Sequence, residues 1–184
     1  MTGIGGVPRR LWNYCNYDEM KLLAMVVGDR PEDADRPVLL DVGAHFGTSC
    51  APFLEKGWSV VALEPDASNR SRLEVLGQRF PSRLKIIPKA ASDLEGVAAL
   101  YSSATSTGIS SLHSFHTTHE ASGQVQTVPL RQVVAEQALR EVRLLKIDVE
   151  GHEMTVLRSM DWAVQPEIVA VSYTHLTLPT TPYV

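Results

Sequence analysis

Short, almost unbroken apolar runs alternate along the middle of this chain with stretches whose apolar residues recur every three or four positions. Val38-Leu39-Leu40, Ser59-Val60-Val61-Ala62-Leu63 and Leu84-Lys85-Ile86-Ile87 have the length of strands, and Ser49 to Glu55 and Ala67 to Gln78 between them carry helical spacing. Strands that are apolar on both faces need cover on both faces, so the βαβαβ order predicts an α/β fold around a parallel sheet. After Ala91 the rhythm changes. Gly96 to Tyr101 predicts a short extra strand, whereas Ser102 to Gly123, rich in Ser, Thr and His, predicts a long loop or lid. Leu130 to Leu139 returns to helical spacing, Val142 to Val149 predicts a further buried strand, His152 to Met160 a helix, and Ile168 to Val171 a last strand after Pro166. Upstream, Met20, Leu23, Ala24 and Val27 fall on one face of a helix over Tyr17 to Val27, following a Gly-rich start from Met1 to Pro8. Gly28 to Pro37 has the charge and proline content of a linker.

Composition narrows the classes. A chain of 184 residues with 44% hydrophobic positions fits one core rather than two. Its 17 basic and 21 acidic side chains leave a net charge of -4, which gives no basic footprint for nucleic acid or for an anionic membrane. No apolar run approaches the roughly 20 residues of a membrane span, and the N-terminus lacks the basic-then-apolar order of a signal peptide, so a cytoplasmic protein is the expectation. Cys15 and Cys50 are too few for a disulfide framework and lack metal-ligand spacing. Trp12, Trp58 and Trp162 are dispersed and read as packing residues.

Two segments at strand ends carry chemistry. The first, Leu40-Asp41-Val42-Gly43-Ala44-His45-Phe46-Gly47-Thr48, joins the first strand to a helix. Its glycines allow close backbone approach to a ligand, and the helix N-terminus offers N–H groups and a positive dipole end. The second strand ends in Leu63-Glu64-Pro65-Asp66, and an acidic side chain there can take two ribose hydroxyls, which makes Glu64 the expected ribose ligand. A dinucleotide fingerprint G-x-G-x-x-G begun at Gly43 needs glycine where His45 and Thr48 stand, so it fails twice and disfavours a nicotinamide-dependent enzyme. The pattern D-x-G-x-x-x-G followed by a strand ending in Glu is instead similar to the S-adenosylmethionine site of class I methyltransferases.

The second segment, Leu145-Lys146-Ile147-Asp148-Val149-Glu150-Gly151-His152-Glu153, again runs from a strand into a helix. Together with the glycine turn and Leu63-Glu64-Pro65 it resembles the FkbM-type methyltransferase family, the K-I-D-V-E-G-x-E signature being more specific than the turn. The resemblance runs from about Val38 to Ala170 and takes in Ala90-Ala91-Ser92-Asp93. It implies a Rossmann-like class I methyltransferase three-layer sandwich. It further implies an O-methyltransferase that uses S-adenosyl-L-methionine on a hydroxyl of a small molecule, sugar or lipid-linked glycan. By the same resemblance Asp41, Gly43 and Gly47 line the methionine end of the cofactor, and Ala44, His45 and Pro65 belong to the same binding segments. Glu64 holds the ribose, Ala91, Ser92 and Asp93 lie near the adenine, and Asp148 and Glu150 face the methyl group and the acceptor. One position departs from the family's pattern: where T-L-D precedes its fourth helix, this chain has Val128-Pro129-Leu130-Arg131, so an acidic side chain has become Arg131.

Methyl transfer to an alcohol is helped by a base within hydrogen-bond reach of the acceptor. Asp148 and Glu150 are the first candidates because they end the strand at the cleft. Glu153 is a further candidate whose alternative is a helix-start acid held by the dipole, and His152 is expected on the solvated surface. Asp41 and Glu64 end buried strands, where a carboxylate needs something to bind it. His113, His116 and His119, with Glu120, invite a metal reading, but imidazoles three and six residues apart on a helix turn away from one another, so no metal is expected. From Val171 the composition switches to an uncharged Ser/Thr/Pro tail that resembles a translated sequencing-library adapter. The expected division is a cap helix and linker over 1–36, a core over 37–170 with a C-terminally truncated sheet, and a non-native tail over 171–184. A nucleic-acid methyltransferase is disfavoured by Asp148-Val149-Glu150-Gly151 in place of an acid or amide before Pro-Pro-aromatic. A cofactor-binding remnant without turnover is the non-enzymatic alternative.

Overall fold

The computed structural model describes residues 36–103, 106–112 and 119–172. The helix expected at Tyr17 to Val27, the side chains of Trp12, Cys15, His113, His116 and His119, and the tail beyond Ser172 lie outside the described part. In chain order the elements are β1 (Val38–Val42), α1 (Ala51–Glu55), β2 (Ser59–Leu63), α2 (Ala67–Arg79), β3 (Leu84–Ile87), β4 (Ala90–Ala91), β5 (Gly96–Ser103), β6 (Ser106–Ser111), β7 (His119–Val128), α3 (Leu130–Glu136), β8 (Leu144–Ile147), α4 (Glu153–Arg158) and β9 (Ile168–Val171).

The predicted parallel sheet is present, with strand order β3-β2-β1-β8-β9 and every neighbouring pair parallel. Successive residues of a strand point to opposite faces, and here both faces are covered. Leu40, Val42, Val61, Leu63, Leu145 and Ile147 pack with Val133 and Val134 of α3 and Val156 of α4 on one side. Leu39, Val60, Ala62 and Leu144 pack with Phe53 and Leu54 of α1, Trp58, and Leu73 of α2 on the other. This is why the strands read as unbroken apolar runs, and it makes the domain an α/β sandwich of three layers. The Phe53 and Trp58 rings meet edge to face at 4.9 Å, a geometry that suits their quadrupoles. Asp66 caps α2 by accepting the N–H groups of Ser68 and Asn69 at 2.8 and 3.1 Å, a bond worth about 1 kcal/mol.

The segment expected as a long loop or lid, Ser102 to Gly123, is instead largely strand. β4, β7, β5 and β6 form a second sheet in that order, antiparallel except between β4 and β7. Sequence pattern misses such strands when neither face is buried, because alternation is a signature of one buried face. Glu120 to Gln124 of β7 are all exposed. The ladder shifts register between Leu100 and Tyr101, opposite Gly123, whose φ of 146° suits a bulge.

Candidate active site

The order of the main sheet reverses at β1. The chain steps outward to β2 and β3, then returns to place β8 on the other side of β1, which opens a crevice beyond the carboxyl ends of β1 and β8. A cavity of about 430 Å³ lies there. Gly43, Ala44 and His45 after β1, Glu64 and Pro65 after β2, Ala90 and Ala91 of β4, and Asp148, Val149 and Glu150 after β8 line it. Leu100 of β5, Ser111 of β6 and Leu112 bring the second sheet into its wall.

Glu64 is 4% exposed. Its Oε2 accepts the N–H of His45 at 2.8 Å, and its Oε1 accepts the N–H of Asp66 at 2.9 Å and the Nδ2 of Asn69 at 3.3 Å. Burial pushes this carboxyl above its ordinary range, and the three donors pull it part of the way back. An ionised carboxylate has about four acceptor sites, so with three donors already in place one more can be taken from the cavity side.

Gly43 and Gly47 hold left-handed φ values of 80° and 82°, which glycine adopts without steric penalty. The space left by their missing side chains is used by the protein itself. A Cβ on Gly43 would run into the main-chain oxygen of Asp148, and one on Gly47 would press on Leu73 and Leu76 of α2. His45 takes a φ of 51° without that freedom, a strained backbone held in place by the bond to Glu64. The N–H groups expected to be free at this turn are engaged: those of Gly43 and Ala44 donate to Leu63 O at 3.0 and 3.1 Å, and that of Gly47 to Ala44 O at 2.8 Å. The helix itself starts only at Ala51. The turn therefore shapes the cavity more than it offers donors to it.

Asp41 lies under the cavity rather than in its wall, and is fully buried. What compensates its charge is Lys146, its register partner on β8. The Lys146 ammonium is 3.1 Å from Asp41 Oδ1 and 3.6 Å from Asp148 Oδ2, and donates to the carbonyl of Gly43 at 3.0 Å. Oδ1 has no hydrogen bond of good geometry, so the ion pair is what compensates it. Oδ2 accepts the hydroxyl of Ser49 at 2.5 Å and the thiol of Cys50 at 3.2 Å. Burial alone would lower the lysine's affinity for its proton, but Asp41 and then Asp148 outweigh it and hold the ammonium above the usual lysine range. Burial, reinforced by the Asp41 charge, raises the Cys50 thiol well above its ordinary value. Sequence reasoning left Lys146 without a role, although a lysine inside Leu144-Leu145-Lys146-Ile147 was the signal that could have found it.

At the carboxyl end of β8 Asp148 is about one-third exposed. Glu150 takes a φ of 50°, and its carbonyl accepts the hydroxyl of Ser111 at 2.8 Å, which ties the second sheet to this strand end. Glu153 is not brought to the cavity wall. It is 5% exposed, opens α4, and accepts the N–H of Gly151 at 2.9 Å. His152, expected at the solvated surface, is 8% exposed and lines the cavity. Its Nε2 is 3.1 Å from Ser92 Oγ, and that hydroxyl also reaches Asp93 Oδ1 at 3.2 Å. The turn between β8 and α4 folds this side chain inward, which spacing alone does not reveal. Ser92 thus meets the start of α4 through His152, and of Ala91, Ser92 and Asp93 it is Ala91 that lines the cavity. Arg131, the departure from the family's pattern, donates to the carbonyl of Asp93 at 3.0 Å. The start of α3 is satisfied by Ser159, which accepts Leu130 N at 3.0 Å and Arg131 N at 2.9 Å, so the missing acidic cap is replaced from a distant loop.

Among the described residues no group of three or more His, Cys, Asp or Glu is placed to hold a metal ion, and no helix is long and apolar enough to cross a membrane. A family described as "Methyltransferase FkbM domain" matches residues 41–180. The hexuronic acid methyltransferase AglP of Haloferax volcanii is 27% identical over 147 residues, covering 80% of this chain. The chain spans 58% of the length of that curated relative. The match takes in the glycine turn, Glu64, the Ala91 to Asp93 segment and the Lys146 to Glu153 strand end, and on it the chain belongs to the FkbM methyltransferase family.

Proposed function

We propose that this chain is an S-adenosylmethionine-dependent O-methyltransferase whose acceptor is an oxygen, a hydroxyl first of all, on a sugar or glycan. The observation that carries the reading is the buried Glu64 carboxylate, with acceptor capacity to spare, in the same cavity as Asp148 and Glu150. A ribose hydroxyl is what such a carboxylate recognises at the end of a second parallel strand. The name of the Haloferax relative points to a uronic-acid-containing acceptor.

S-adenosylmethionine, when bound, supplies an electrophilic methyl group on a sulfonium. The chain's own residues do the rest. Glu64 takes a ribose hydroxyl, the Gly43 to Gly47 turn shapes the methionine end, and Ala91 to Asp93 form the adenine side. Asp148 and Glu150, carried by the end of β8, favour positive charge in the cavity and stand where an acceptor hydroxyl would give up its proton. His152 is a third candidate for that proton. Much of the rate of an in-line transfer comes from orientation, and three walls from three strand ends supply it. Leu100 and Leu112 make the fourth wall apolar and help exclude water.

Titration calorimetry with S-adenosylhomocysteine and with NAD tests the cofactor, and transfer of a labelled methyl group to hexuronic-acid oligosaccharides tests the acceptor. Binding of S-adenosylhomocysteine alone is expected. Binding of NAD alone would overturn the reading, and cofactor binding without transfer to any hydroxyl or carboxyl acceptor would favour a remnant that binds but does not turn over.

A further inference from the structure

Asp148 and Glu150 put two carboxylates at the end of β8 in the cavity wall, and the fully buried Asp41 lies beneath them, a charge that needs a counter-ion close by. Lys146 is that counter-ion. Its side chain is 11% exposed, and its ammonium donates to the Gly43 carbonyl at 3.0 Å while pairing with Asp41 at 3.1 Å and with Asp148 at 3.6 Å. Those partners come from β1, from the turn after β1, and from the residue after β8. No other described side chain joins both sides of the switch point in this way.

We propose that Lys146 is the positioning residue of the site: it neutralises Asp41 in the floor and clamps the Asp148 carboxylate against the glycine turn, so that Asp148, not Asp41, is the carboxylate the cavity presents. The inference deepens the methyltransferase reading and rests on it for the role of Asp148. Asp41 is fully buried and its charge is already engaged by Lys146, Ser49 and Cys50. Among the described residues Asp148 has Lys146 as its one charged partner, and it is open to the cavity. Removing the ammonium would leave two carboxylates on neighbouring strands with nothing between them, and the nearer to solvent would turn away.

The test is a set of variants of the full chain: Lys146→Met, Lys146→Arg, Asp148→Asn, the Lys146→Met/Asp148→Asn pair, and Asp41→Asn/Lys146→Met. The last leaves no unpaired buried charge, so it keeps the question open where Lys146→Met alone fails to fold. Three readouts are taken: the carboxyl ¹³C resonance of Asp148 in the ligand-free chain, the S-adenosylhomocysteine dissociation constant, and kcat with KM for methyl transfer. The Asp148 resonance should move in both Lys146→Met backgrounds and return toward wild type in Lys146→Arg. Lys146→Met should lower kcat by about tenfold or more with a smaller change in KM, and should add little once Asp148 is already Asn. An unmoved resonance, or a Lys146→Met loss that multiplies fully with the Asp148→Asn loss, would overturn the clamp. Failure of the wild-type chain to bind S-adenosylhomocysteine would refute the functional reading instead, and the ligand-free resonance would still decide for or against the clamp.

Discussion

Asp41→Asn removes one half of an ion pair whose other half stays in the floor of the site. At 3.1 Å and an effective dielectric of about 20, the gross attraction is about 5 kcal/mol. Much of it is offset by the desolvation of both groups, since Asp41 is fully buried and Lys146 nearly so. Removing one partner of a buried pair typically costs about 3–5 kcal/mol, because the remaining charge is left uncompensated. The lower end applies to Asp41→Asn, because Lys146 keeps Asp148 and the Gly43 carbonyl. The expected loss is about 3 kcal/mol, or roughly 6–12 °C in the thermal midpoint for a domain of this size. Urea unfolding followed by circular dichroism gives the free energy, and Lys146→Met with the double variant completes a cycle. The double variant should lose clearly less than the sum of the singles, by about 2 kcal/mol or more. Effects that add to within about 0.5 kcal/mol would refute the pairing, because independent sites behave that way.

Further outcomes follow from neighbouring residues. Lys146 and Cys50 both hold their protons more tightly when folded, so each contributes stability that is complete below its unfolded pKa and is lost as pH rises through the folded value. Stability should therefore start to fall above about pH 9, the ordinary cysteine value; Cys50→Ala should flatten the first part of that decline in urea midpoints measured from pH 7 to 11. Glu64→Ala should weaken S-adenosylhomocysteine binding by about 2 kcal/mol, roughly thirtyfold, from one lost hydrogen bond to a charged acceptor, and calorimetry reading an unchanged affinity would remove Glu64 from the ribose site. Because burial raises the Glu64 carboxyl, affinity in the wild-type chain should start to drop on acidification at a pH above the ordinary glutamate value. Gly43→Ala should destabilise the domain by a few kcal/mol, since the new Cβ meets backbone and the φ is left-handed; a thermal midpoint within a degree or two of wild type would contradict this.

The three-layer core was legible because burial on both faces leaves a continuous apolar signal, as in Ser59 to Leu63. Glu64 and the glycine turn were legible because chemistry at strand ends is local in sequence. Of the second sheet the strand over Gly96 to Tyr101 was legible and became β5, but β7 was not, since Glu120 to Gln124 face solvent and carry no period. The inward turn of His152 and the Ser159 cap on α3 were hidden for another reason: their partners, Ser92 and Leu130, are 60 and 29 residues away. Asp41 was read as a carboxylate waiting for a ligand, and the partner proved to be a lysine that the strand pattern had absorbed.

The cavity has walls with unequal stakes in folding. Glu64, the glycine turn and Asp148 hang from central strands whose loss would dissolve the core, whereas Ser111 ends β6, the edge strand of a second sheet whose β7 is exposed from Glu120 to Gln124. Local opening should be cheapest there, and hydrogen exchange should be fastest along β6 and β7. Substitutions at Glu120 to Gln124 should cost the fold little, whereas Val128 at the end of β7 belongs to the main core. Under the proposed function, such a division would let acceptor preference drift at the β6 end while the methyl-donor half is held by the same residues that keep the protein folded.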